Sequence, residues 1–215
     1  MRKFRIVPIV EGYGEERAVP LLMRRWLRHR NLHRWFDIPD LAVNAKGSGR
    51  LKAPFDPERH RGIEHYIATA LTGRPDAILV LLDADDECQT RAKNEGLGPT
   101  LLARARAVAR EVPLAVVIAN REYEAWFLAN LTALRARGLL PLGRLPEPLQ
   151  PEVRRDCKGL IERLLGCSYE ERFHQLKLTE AMTFSPRAAF RSPSYGKLLR
   201  DLERLTREAR HRRAA

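Results

Sequence analysis

The stretch DAILVLLDAD at residues 76–85 decides the fold. Its apolar run, residues 77–82, is short, uninterrupted and bounded by aspartates, which is typical of a strand buried on both faces of a parallel sheet. Two other runs have the same form: RIVPIV at residues 5–10, which ends at Glu11, and LAVVIA at residues 114–119, which ends at Asn120. A segment with helical periodicity follows each run. The sequence therefore predicts repeated strand-then-helix units.

These units predict an α/β fold with a mainly parallel four-stranded central sheet flanked by helices, plus a helical C-terminal extension. The predicted strands span residues 3–10, 39–45, 76–82 and 114–119. The predicted helices span residues 15–29, 57–71, 99–110, 124–138 and 196–213. A Pro-, Leu- and Gly-rich stretch at 139–151 indicates a linker. We therefore expect a catalytic core at residues 1–138, and a linker and helical extension packed on it at residues 139–215.

The chain is strongly basic, with 215 residues, a formal net charge of +12 and a pI of about 10.2. This charge predicts a polyanionic partner, although arginines on solvated helix faces would explain it equally well. No apolar run is long enough to span a membrane, and no signal peptide is evident, so we expect a cytoplasmic protein. Cys88, Cys157 and Cys167 form no CxxC pair, which argues against a disulfide framework or a zinc site.

Carboxylates follow each of the three apolar runs. Glu11 follows the first, Asp83 and Asp85 the second, and Glu122 and Glu124 the third. The carboxyl ends of parallel strands share one edge of the sheet, where ligands bind, so these side chains are expected to converge. Alternation along an extended chain places both aspartates on the same side, where they could share a hard cation. The sequence thus predicts a divalent-metal site.

The segment EGYGEE at residues 11–16 also stands where a dinucleotide-binding turn would stand. Arg17 occupies the third glycine position of that fingerprint, and the carboxylates would repel a pyrophosphate, so nucleotide binding is disfavoured. Glu15 and Glu16 could simply complement the dipole of the following helix. That explanation does not extend to Glu11.

Together these motifs resemble a known family. The Glu-Gly-x-x-Glu turn at residues 11–15 and the Asp-x-Asp at 83–85 look like the Toprim domain of topoisomerases, primases and related nucleases. The segment from Asn120 to Trp126 resembles, more narrowly, the nucleases of the overcoming-lysogenization-defect group and their small stand-alone relatives. Those relatives are often encoded beside an ABC-type ATPase in phage-defence loci. The resemblance covers residues 3–130, with patchy similarity to about residue 200.

The resemblance implies a Toprim-like core that uses Mg²⁺ or Mn²⁺. Carried over onto this sequence, the metal ligands would be Glu11, Glu15, Asp83, Asp85 and Glu124. As a hypothesis, Glu11 and the two aspartates hold one ion and the other two glutamates help to hold a second, roughly 3.5–4 Å away. The assignment of Glu122 stays open.

A downstream lysine also belongs to the nuclease pattern. Lys158 and Lys177 are both candidates; Lys177 joins the expected catalytic set of Glu11, Asp83, Asp85 and Glu124. The residues expected to contact nucleic acid are Lys46, Arg50, Lys158, Arg187, Arg191 and Lys197.

The expected function is metal-dependent hydrolysis of phosphodiester bonds in DNA, and the resemblance implies a role in phage defence with an ATPase partner. Two alternatives stay open at this level. One is a nucleic-acid-binding or regulatory Toprim subunit without catalytic activity, and the other is a Toprim nuclease that processes RNA.

Overall fold

The computed structural model describes residues 2–84, 96–141, 150–153 and 156–214. Within these residues the chain forms a parallel sheet of five strands, in the spatial order β2-β1-β4-β5, with β3 also paired to β1. The strands are β1 (Phe4–Val10), β2 (Phe36–Asp37), β3 (Val43–Asn44), β4 (Ala77–Asp83) and β5 (Leu114–Ala119).

Helices cover both faces of this sheet. They are α1 (Glu15–His29), α2 (Ser48–Lys52), α3 (Ile63–Thr72), α4 (Leu97–Ala109), α5 (Glu124–Ala129), α6 (Leu131–Ala136), α7 (Cys157–Leu165), α8 (Glu171–Thr179), α9 (Pro186–Arg191) and α10 (Pro193–Ala214). The predicted mainly parallel α/β architecture with a C-terminal helix is confirmed. None of the described helices is both long and apolar enough to cross a membrane.

Alternate residues of each central strand enter two separate cores. In β4, Leu79 and Leu81 pack with α1 and the C-terminal helices, whereas Ile78, Val80 and Leu82 pack with α3 and α4. All five side chains are at most 1% exposed. This burial on both faces explains why the strand reads as a continuous apolar run.

The final helix packs on the same core as the central strands. Leu198, Leu202 and Leu205 of α10 are buried in one cluster with Leu79 and Val117 of the sheet. The helix extends to Ala214, and its last turns contact β1 through Arg213, whose guanidinium lies 4.5 Å from the centroid of the Phe4 ring.

Of the expected strand at residues 39–45, only β3 at residues 43–44 is paired in the sheet. Two strands of two residues each, β2 and β3, pair with opposite ends of β1, so the sheet has five described strands and not four. Pro39 has no N–H to donate to a ladder. The N–H of Ala42 donates to the backbone oxygen of Glu16 at 2.9 Å, which draws the chain away from the sheet and onto α1.

The expected helix at residues 124–138 is broken at Asn130. This residue is 2% exposed, and its side-chain oxygen accepts hydrogen bonds from the N–H and the hydroxyl of Thr183 at 2.8 and 3.0 Å. The side-chain amide of Asn120, which precedes this helix, donates to Glu152 at 3.3 Å.

The short helix α2 at Ser48–Lys52 was not predicted. The helix expected from residue 57 begins at Ile63, after Gly62, whose φ of 87° lies in the left-handed region.

Candidate metal centre

The ends of β1 and β4 are joined by a side chain. The backbone N–H of Asp83 donates to Oε2 of Glu11 at 3.0 Å. The last paired residues are Val10 and Leu81, so Glu11 lies one residue and Asp83 two residues beyond the pairing. The parallel pairing brings both acids to the carboxyl edge of the sheet, as the sequence predicts.

Two further acids meet across a glutamine. Nε2 of Gln175, in α8, donates to Oε1 of Glu15 and to Oε1 of Glu124, each at 3.0 Å. Gln175 and Glu124 are buried, with 2% and 1% exposure. A β-carbon on Gly14 would lie 2.2 Å from Oε1 of Gln175, so the amide of Gln175 occupies space that a side chain at residue 14 would need.

These four acids border one cavity of about 520 Å³. Eight of its lining residues are acidic and one is lysine, so the cavity is strongly negative. The lining residues that carry side-chain chemistry are Glu11, Glu15, Asp83, Glu122, Glu124, Asp156, Glu162, Glu171, Lys158 and Gln175.

Burial and the nearby negative charges raise the pKa of two carboxyl groups in the cavity. Burial raises the pKa of Glu15, and the charges of Glu124 and Glu11 raise it further. Burial likewise raises the pKa of Glu122, again helped by Glu124. Both shifts mean that gathering these carboxylates costs free energy, which a bound cation would relieve.

Lys158 brings positive charge into the cavity. Its backbone N–H, in the first turn of α7, donates to Oε2 of Glu122 at 2.9 Å, and its ammonium pairs with Glu171. Burial alone would lower the pKa of the ammonium, but the hydrogen bond to Glu171 and the charges of Glu124 and Glu122 together raise it. Lys158 therefore stays protonated in this acidic setting.

The two candidate lysines are placed differently. Lys177 is exposed on α8, with its ammonium 5.7 Å from the centroid of the Phe173 ring, and it does not line the cavity. Asp85, expected to act with Asp83, lies outside the described residues, so its position relative to Glu11 stays a prediction.

Basic residues follow two of the strands that end near the cavity. Lys46, after β3, and Arg121, after β5, have φ angles of 58° and 64°, in the left-handed region that non-glycine residues rarely adopt. The N–H of Lys46 donates to Oδ1 of Asn44 at 2.7 Å, and the next N–H, of Gly47, donates to the backbone oxygen of Glu11 at 2.7 Å. These hydrogen bonds hold Lys46 beside the end of β1. Lys46 is exposed there.

The other expected nucleic-acid contacts are scattered. Arg50 is exposed on α2, and Arg187 is exposed on α9, which ends at the half-buried Arg191. Lys197 donates to the backbone oxygen of Val116 at 2.8 Å and pairs with Asp201, so it covers a carbonyl on the free edge of β5. For these four residues, nucleic-acid binding stays a prediction.

The donor chemistry of the cavity fits a hard divalent cation, because Mg²⁺ and Mn²⁺ prefer carboxylate oxygens. The positions of these donor side chains, however, do not yet form a complete metal site. Within the described ranges, no three His, Cys, Asp or Glu side chains are grouped so that they could hold a metal ion. Glu11 would be available from β1 and Asp83 from β4, with Glu15 and Glu124 on the other side of the cavity.

The helical extension supplies the lining residues that sequence reasoning did not select. Asp156, Glu162, Glu171 and Gln175 all come from the region of α7 and α8. The sequence contains a signal for these residues. Residues 158 and 162 are four positions apart, as are residues 171 and 175, so each pair shares a helix face. Neither pair follows a strand, so the search for acids at strand ends missed them.

Comparison with known protein families shows which family this chain belongs to. A family model described as "Domain of unknown function (DUF4276)" matches residues 10–203. The chain belongs to the DUF4276 family. The matched range of this DUF4276 chain begins at the last residue of β1 and ends within α10, so it includes every described residue that lines the acidic cavity.

One solved structure is similar to this DUF4276 protein. It is the C-terminal region of the Burkholderia pseudomallei OLD protein, which is 16% identical in sequence. The similarity covers 97% of this chain and 100% of that chain, with a TM-score of 0.43. No curated protein matches the chain.

Proposed function

We propose that this protein is a divalent-metal-dependent hydrolase of phosphodiester bonds in DNA. The observation that carries the proposal is the meeting of Glu11, Glu15, Asp83 and Glu124 in one cavity at the carboxyl edge of the sheet. Each of these acids is also a metal ligand in the family pattern that the sequence resembles. The resemblance of the same residues to the Toprim nuclease pattern supports the same chemistry.

The cavity offers a division of roles. Glu11 and Asp83 would hold a cation from the sheet, and Glu15 and Glu124 would hold one from the helices. A bound Mg²⁺ or Mn²⁺ would supply Lewis-acid chemistry, activating water and offsetting charge on the phosphoryl oxygens. Without such a cation the acidic lining would repel a phosphodiester, because the negative charges of the carboxylates and of the phosphate repel each other.

Lys158 is the residue proposed to contact the phosphoryl oxygens. It lines the cavity and stays protonated, so its ammonium could stabilise the negative charge that builds up in the transition state. Its present partner, Glu171, is half-exposed and would have to release the ammonium. Lys46, exposed beside the end of β1, would hold the DNA backbone where it enters the cavity.

Cleavage assays test the proposal. The purified full chain with Mn²⁺ should cut supercoiled or linear DNA, and EDTA should abolish cutting. Asp83→Asn and Asp85→Asn should each lower the rate by about a hundredfold or more. Glu16→Gln, a change in the first turn of α1 outside the cavity, should leave the rate unchanged. Cleavage of structured RNA but not DNA would favour the RNA-processing alternative.

Metal binding can be measured without activity. Because an ion that binds only the folded state stabilises it, Mn²⁺ at about 100 times its Kd should stabilise the protein by about 2.7 kcal/mol. The Asp83→Asn variant should lose most of this shift in thermal unfolding. If Mn²⁺ stabilises neither protein and DNA stays intact, the hydrolase proposal fails, and a regulatory subunit becomes the better reading. An ATPase partner stays a prediction from the resemblance.

A further inference from the structure

A basic groove lies between the end of α1 and the last turns of α10. Its volume is about 800 Å³. Three arginines and two histidines line it against a single acid. These lining residues are Arg30, Arg207, Arg210, His29, His211 and Glu203.

The groove and the acidic cavity lie at opposite ends of the same helix. Glu15, the first residue of α1, lines the cavity, and His29, the last, lines the groove. At 1.5 Å per residue, these ends are roughly 20 Å apart. The guanidinium of Arg210 lies 5.5 Å from the ring centroid of Phe36, the first residue of β2, so the groove borders the amino edge of the sheet.

The positive charge of the groove is largely uncompensated. Arg30 pairs with Glu203 at 2.6 Å. Arg207 and Arg210 have no acidic partner in the part of the chain that the structure describes. Arg207 and Arg210 are three positions apart in α10, so their side chains are neighbours on the surface of this helix.

More cations continue the surface beside the groove. Nη1 of Arg213 donates to the backbone oxygen of Arg2 at 2.7 Å, and Nζ of Lys3 donates to the backbone oxygen of His33 at 3.3 Å. Arg34, next in the chain, is exposed. These contacts join α10, the start of β1 and the segment before β2 into one mainly basic face, in which Asp76 lies 3.6 Å from Arg2 and 3.9 Å from Arg213.

The distribution of charge in the whole chain supports a separate role for this face. The chain has 39 Lys and Arg residues and 27 Asp and Glu residues. Eight of those acids and one lysine line the cavity. The rest of the protein therefore has 38 cations against 19 acids, a stronger excess than the net charge of +12 suggests.

We propose that this groove binds the phosphate backbone of duplex DNA at a site separate from the acidic cavity. Guanidinium groups match phosphate oxygens in geometry, and a row of them releases counterions from a duplex when it binds. The inference goes beyond the proposed hydrolysis, because binding in the groove requires neither a metal ion nor cleavage.

Binding of the full chain to a fluorescein-labelled DNA duplex, measured by fluorescence anisotropy in EDTA over a series of salt concentrations, tests the proposal. Arg207→Gln with Arg210→Gln should lower the affinity on the order of tenfold and make the salt dependence shallower by about one unit of slope per lost contact. The matched control, Arg59→Gln with Arg106→Gln, removes the same charge from exposed arginines elsewhere. Circular dichroism and thermal unfolding check that both pairs are folded.

An unchanged affinity and slope in the groove pair would overturn the proposal. An equal loss in the control pair would also overturn it, because binding would then follow net charge. Loss of binding to phosphatidylserine vesicles with DNA binding intact would assign the groove to a membrane instead. If the groove pair weakens binding while no protein cuts DNA, the groove site stands and the hydrolase proposal fails.

Discussion

The N–H of Asp83 donates to the carboxylate of Glu11 at 3.0 Å, so the acids that end β1 and β4 are in direct contact. These residues are 72 positions apart in the chain. Their contact follows from the pairing of β1 with β4, which places both strand ends on one edge of the sheet. One oxygen of Glu11 is thereby held, which fixes the orientation of its carboxylate toward the cavity.

Glu11→Gln tests this relationship. The amide oxygen can still accept from Asp83, so the free energy of unfolding should change by less than about 1 kcal/mol. Loss of the negative charge should lower metal-dependent cleavage by about a hundredfold. Urea unfolding and cleavage rates measure the two effects. An unchanged cleavage rate would remove Glu11 from the proposed metal site.

The two candidate lysines can be separated by the same substitution. Lys158→Met should lower cleavage by about a hundredfold, because the only lysine lining the described cavity is lost. Lys177→Met, on the exposed side of α8, should have the smaller effect. Cleavage rates under single-turnover conditions decide between them. A larger loss in the Lys177 variant would support the assignment made from the sequence.

Gly14→Ala should disturb the link between the two glutamates. The new β-carbon would lie 2.2 Å from Oε1 of Gln175, so this buried side chain must move away from Glu15 and Glu124. We expect a destabilisation of about 1–3 kcal/mol in urea unfolding. Gly49→Ala is the control, because nothing lies within 4 Å of its β-carbon. Equal stabilities of the two variants would contradict the close approach.

A partly buried ion pair predicts a pH dependence of stability. Arg104 donates to both oxygens of Glu64 at 2.8 and 2.7 Å, and to the backbone oxygens of Lys52 and Ala53, joining α4 to α3 and α2. Burial opposes ionisation of Glu64. The hydrogen bonds and the positive charge of Arg104, with a backbone hydrogen bond of Glu64 itself, outweigh burial and lower the pKa of Glu64 below the ordinary value of 4.5.

Glu64→Gln should therefore cost about 2 kcal/mol near neutral pH. The carboxylate of Glu64 therefore becomes protonated at a higher pH in the unfolded chain than in the folded protein. The stabilising effect is thus complete above pH 4.5 and is lost as the pH falls through the lowered pKa. Urea unfolding at several pH values measures the difference, with the exposed Glu58→Gln as control. A difference that persists in acid would rule out this ion pair as its cause.

The central strands were predictable because burial on both faces leaves a simple pattern. The boundaries of β4 and β5 deviate by at most one residue from prediction, and those of α1 agree at both ends. The short strands β2 and β3 carry no such pattern, because each has only two residues and depends on β1 for its pairing. Likewise, the break at Asn130 depends on Thr183, 53 positions away.

The sequence by itself determined the parallel α/β fold and placed Glu11 and Asp83 at strand ends, because local apolar runs and chain order decide both. Only the tertiary structure decided which helices close the site. Packing of α7 and α8 brought Lys158 and Gln175 to the acids at the strand ends and left Lys177 outside the cavity. It also separated the acidic cavity from the basic groove. Contacts between distant segments depend on how helices pack, and no local pattern encodes that packing.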